Sequence, residues 1–129
     1  MLTQAAHHYS LVVSDVEKSK SFYTDLLGLS EIARPDFGIP GVWYQAGPVQ
    51  LHLIQVPDGV DVGTTSPSLT PLAAHIAFEI DSYERVEAEL QAAGIELQAA
   101  GSRSGQIFVR DPDGNTIEFI DPSRQPGRS

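Results

Sequence analysis

The chain has 129 residues, 41% of them hydrophobic, with 8 basic against 17 acidic residues and a net charge of -9. That length fits one domain or two half-size modules sharing a core, and the negative balance excludes recognition of nucleic acid backbones and anionic membrane surfaces. There is no cysteine, which excludes disulfides, thiolate metal sites and cysteine nucleophiles, so any metal must be held by histidine nitrogens and carboxylate oxygens.

Along the chain, HYSLVV (8–13) alternates and is rich in β-branched and aromatic residues, and so predicts a strand. SDVEKSKSFYTDLLG (14–28) predicts a helix: Ser14 and Glu17 have capping-box spacing, Val16, Phe22, Tyr23, Leu26 and Leu27 share a face, and Gly28 can close it. LSEIA, GVWYQA and VQLHLIQV then read as strands. Residues 57–73 are interrupted by proline and glycine and have no periodicity, which predicts a linker.

From residue 74 the pattern recurs. HIAFEI reads as a strand, and DSYERVEAELQAAG as a helix with Asp81 and Glu84 at capping-box spacing, Val86 and Leu90 on one face and Gly94 at its end. IELQ, GQIFVR and NTIEFI read as strands. The expected fold is α+β: two βαβββ modules at 1–56 and 74–121, forming a cleft of curved mixed sheets, with a linker at 57–73 and a flexible tail at 122–129. No run of about 18 apolar residues occurs, and the start, MLTQAAHHYS, lacks the basic and apolar segments of a signal peptide, so a cytoplasmic location is expected.

The repeat also aligns side chains that can bind metal. QLHLIQ (50–55) and TIEFID (116–121) are the same strand written twice, with His52 where Glu118 stands. From His8 to His52 is 44 residues and from His75 to Glu118 is 43. Strand alternation puts His8 with Ser10 and Val12, His52 with Gln50 and Ile54, His75 with Ala77 and Glu79, and Glu118 with Thr116 and Ile120, each set opposite the large apolar residues. Three imidazoles and one carboxylate suit a divalent zinc, nickel, cobalt, manganese or iron ion with positions left open. Gln50 is the alternative to His52 as a donor, and His7 is assigned a local role. DPDGN (111–115) reads as a tight turn capped by Asp111, and no P-loop, GxGxxG, GxSxG or EF-hand pattern occurs.

With these pieces in view, HHYSLVVSDVEKSKSFYTDLLGLS, GVWYQAGPVQLHLIQV, AAHIAFEIDSYERVEAELQAAGI and GQIFVRDPDGNTIEFID resemble the vicinal oxygen chelate superfamily, which includes glyoxalases, bleomycin resistance proteins and extradiol dioxygenases. The resemblance implies a glyoxalase-like fold whose metal ligands sit on the first and last strands of each module, matching His8, His52, His75 and Glu118. Family glyoxalases usually carry Glu at the position of His52, epimerase-like members carry Gln, and dioxygenases and fosfomycin-modifying members use three protein ligands, so this set departs from each.

The leading functional expectation is a metal-dependent lyase or isomerase acting on a small substrate with adjacent oxygens, with Glu118 or Glu79 as the base. One alternative is a non-enzymatic binder of cationic drugs resembling bleomycin resistance proteins, using Tyr9, Phe37, Trp43 and Tyr44. The other is a ring-cleaving dioxygenase, in which His52 would crowd the open positions. The resemblance and the exposed sheet edges imply a homodimer, with GVWYQA either near the subunit contact or in the core.

Overall fold

The computed structural model describes residues 1–99 and 103–125. The chain divides into two units, Met1–Gly63 and Thr64–Ser129, with the division inside the segment expected to be the linker.

In the first unit, strand β1 (His8–Val13) leads into helix α1 (Val16–Lys20), which widens into a π-helical stretch over Ser21–Leu26, followed by β2 (Ser30–Ile32), β3 (Gly41–Ala46) and β4 (Val49–Gln55). The sheet order is β1-β4-β3-β2, with β1 parallel to β4 and the other pairs antiparallel. The helix starts one residue later than the capping-box spacing predicts. Its cap is Asp15, not Ser14, because the Asp15 carboxylate accepts from Glu17 N and Lys18 N at 3.0 and 3.3 Å, while the Gln55 side-chain oxygen takes Val16 N at 3.0 Å. In the wider stretch Leu27 N donates to Phe22 O at 2.9 Å, five residues back, and both Phe22 and Tyr23 are buried. Leu11, Val13, Val42, Tyr44, Leu51 and Leu53 are buried on the opposite pleat from His8 and His52. Tyr44 ties strand to helix through a 2.8 Å hydrogen bond with Thr24. Fully burying a side chain such as Leu51 or Leu53 contributes about 1.5–3 kcal/mol.

The second unit repeats the plan: β5 (His75–Glu79), α2 (Tyr83–Ala92), β6 (Leu97–Ala99), β7 (Gln106–Arg110) and β8 (Thr116–Ile120). Its order is β5-β8-β7-β6, again with the first and last strands parallel. Here too the cap lies one residue beyond the expected Asp81: the Ser82 hydroxyl accepts from Arg85 N at 3.3 Å. At the other end Gly94, at φ 74°, lets Gly94 N reach Gln91 O and Ile95 N reach Leu90 O, both at 3.0 Å. The 111–115 turn is organised as expected, with Asp111 Oδ1 accepting from Asp113 N and Asn115 N at 2.9 and 2.8 Å.

The start of the expected flexible tail is tied down. Asp121 caps a 3-10 turn over Pro122–Arg124, and Arg124 grips the Glu84 carboxylate with contacts of 2.9 and 2.8 Å while lying over the Tyr83 ring. Residues 126–129 of that tail lie outside the described residues. Among the described residues no helix is long and apolar enough to cross a membrane.

Candidate functional site

The two sheets place the candidate residues at matching register positions. In the first, His8 pairs with Gln50 and Ser10 with His52; in the second, His75 pairs with Thr116 and Ala77 with Glu118. The third strand completes the correspondence, since Trp43 pairs with His52 as Phe108 pairs with Glu118.

In the first unit His52 is buried between two rings. The His8 imidazole stacks on one side with centroids 4.0 Å apart, and the Trp43 indole on the other at 4.1 Å. Burial, reinforced by His8, His7 and Arg34 nearby, holds the His52 pKa below the ordinary 6.5, which favours the neutral imidazole that a metal requires. The Gln50 side-chain oxygen accepts from His52 Nε2 at 2.8 Å, which leaves the neutral ring's lone pair on Nδ1. Gln50, the alternative donor, is thus hydrogen-bonded to His52 on the same pleat. His7 contacts His8 directly, with the two Nδ1 atoms 2.9 Å apart.

The second unit brings an imidazole and a carboxylate together. His75 Nδ1 donates to the Ala73 carbonyl at 2.7 Å, and His75 Nε2 stands 2.9 Å from Glu118 Oε1. A carbonyl and a carboxylate only accept, so with Nδ1 protonated the Nε2 to Oε1 contact calls for a proton or a cation. Glu118 is buried at 5% exposure, and its other oxygen accepts from Gln106 Nε2 at 3.2 Å. The Phe108 ring meets His75 edge-on at 5.3 Å. Glu79 lies at the exposed end of β5, two residues beyond Ala77 on the His75 pleat. Among the described residues no three His, Asp or Glu side chains group closely enough to hold a metal ion.

Of the aromatic residues considered for ligand binding, Tyr44 is withdrawn: it is 0% exposed and hydrogen-bonded to Thr24. Trp43 and Phe37 remain on the His52 side, with ring centroids 6.1 Å apart. Sequence reasoning missed Gln106, Phe108 and Arg34. Alternation along GQIFVR places Gln106 and Phe108 opposite Ile107 and Val109, so the pleat of β7 carried that signal, whereas Arg34 lies between strands where no periodicity marks it.

The model of the Glyoxalase/Bleomycin resistance protein/Dioxygenase superfamily matches residues 5–119. The chain belongs to this superfamily. It is 29% identical to glyoxylase I 4 of Arabidopsis thaliana, covering 93% of this chain and 72% of that protein. It is 32% identical to a lactoylglutathione lyase of Neisseria meningitidis, covering 88% and 87%. The crystal structure of a glyoxalase family protein from Bacillus anthracis shares the fold with a TM-score of 0.76 at 24% identity, over 94% of this chain and 97% of that one.

Proposed function

We propose that this superfamily member is a metal-dependent lyase or isomerase of the glyoxalase type, acting on a small substrate with adjacent oxygens. The observation that carries the reading is the repeated placement of a donor pair, His8 with His52 and His75 with Glu118, at the same register of two like-ordered sheets. The donor set fits a divalent ion: His52 is held neutral, His75 is oriented through Nδ1, and the buried Glu118 carboxylate lies against His75 Nε2, where positive charge is called for. In this reading His8, His52, His75 and Glu118 hold zinc, nickel, cobalt, manganese or iron. Such an ion, when bound, supplies Lewis-acid polarisation of the substrate oxygens.

The chain's own part is to place the base. Gln106 donates to Glu118 Oε2, and to act as base Glu118 would leave the metal so that its freed Oε1 takes the proton from the neighbouring carbon and returns it. Glu79 is the second candidate base. In deuterated water, metal-loaded protein should exchange the C-H proton of 2-oxoaldehyde thiohemiacetals; metal-loaded protein that never does so would defeat this reading.

A second reading, a metal-independent small-molecule binder, is favoured by Phe37, which is 58% exposed beside Trp43. Ligand binding that persists unchanged in His8→Ala and His75→Ala would select it. In either reading the protein is proposed to be a homodimer, and sedimentation as a monomer of 13.9 kDa would contradict that.

A further inference from the structure

Arg34, between β2 and β3, is half-buried, and its Nε atom is buried with no hydrogen-bond partner. Among the described residues the guanidinium makes no ion pair, in a chain with 17 acidic residues. Asp36, two residues away, instead accepts from Gly38 N at 2.8 Å. Arginine cannot shed its charge to relieve burial, and buried guanidinium N-H groups are normally paired.

The side chain is nevertheless held in place. Its Cζ lies 5.1 Å from the Phe37 ring centroid. It also lies across the backbone of Gly41, where a Cβ would come within 2.7 Å of both Cζ and Nε. Phe37 in turn faces Trp43, which stacks on His52. A cation is therefore fixed at one end of a continuous aromatic row that ends at candidate metal ligands.

We propose that Arg34 is a binding residue for a small oxyanion, the carboxylate or phosphoryl group of an acidic substrate whose body lies along Phe37 and Trp43. The two terminal nitrogens of the planar fork offer paired donors to such a group, and an anion there supplies the counter-charge that no carboxylate among the described residues provides. The inference rests on the proposed reading of this face as the substrate side and does not require a metal. It also opposes a cationic drug as the natural ligand.

Trp43 is the only tryptophan, so its fluorescence reports on the row. The test titrates full-length, EDTA-treated protein at constant ionic strength with inorganic phosphate, acetate and, as the cationic control, spermidine. The expected result is a saturable Trp43 response to phosphate or acetate, weakened roughly 10- to 100-fold in Arg34→Gln, with Arg34→Lys intermediate because it keeps charge but loses the fork. Equal binding by wild type and Arg34→Gln overturns the inference, as does no saturable response or a preference for spermidine. If Arg34→Gln does not fold, Arg34→Lys binding as tightly as wild type has the same force. Anion binding only after metal is added would also overturn it while leaving the metal reading intact; anion binding to a protein that takes up no metal would do the reverse.

Discussion

The two units build one frame and fill it differently. In the first, the last strand offers a buried imidazole held between His8 and Trp43. In the second, the same register position offers a buried carboxylate against His75, with Phe108 where Trp43 stands. The frame is thus set by the buried pleat, which is apolar in both units, while the opposite pleat is free to change chemistry. That face carries two imidazoles and an indole in the first unit, and an imidazole, a carboxylate and a phenyl ring in the second.

The shared frame predicts matched sensitivity. Leu51 and Ile117 occupy equivalent places beneath Tyr44 and Val109 in register, and both are 0% exposed. Replacing either with alanine should destabilise the protein by about 2–5 kcal/mol in urea unfolding. A loss confined to one of the two would mean that the units do not share a core plan.

The different fillings predict unequal effects on metal binding. Glu118→Gln removes the only charge in the proposed set and should weaken cobalt binding by about 100-fold or more, beyond the usual effect of losing an outer partner. His52→Gln keeps a neutral donor and should weaken it by about 10-fold. Calorimetric titration ranks the two, and a reversed order would break the comparison.

The smallest effect is in pH. Because burial holds His52 below 6.5, the unfolded chain takes up a proton that the folded chain resists. This contribution is fully present above pH 6.5 and is lost as pH falls from there through the lower native value. The urea midpoint should therefore drop between about pH 7.5 and about 5.5, and drop less in His52→Gln. An equal drop in both proteins would assign the pH dependence to other groups.

Much of this was legible in the sequence because strand alternation is a strong local signal. It separates His8, His52, His75 and Glu118 from Tyr9, Leu51, Ile76 and Ile117. The caps were misplaced by one residue, because Ser14-Asp15 and Asp81-Ser82 each offer two adjacent capping residues and the competing hydrogen bonds decide between them. The widened turn at Ser21–Leu26 left no pattern that differs from an α-helix. Arg34 was invisible because its significance lies in missing partners and in its close approach to Gly41, neither of which is written in local order.

The central proposal is that His8, His52, His75 and Glu118 hold a divalent ion, and cobalt stoichiometry tests it most directly. Titration of the metal-free protein should saturate at about one cobalt per chain, and that single site should be lost both in His52→Ala, from the first unit, and in Glu118→Ala, from the second. No binding by wild type, or a site abolished by one substitution and untouched by the other, would contradict it.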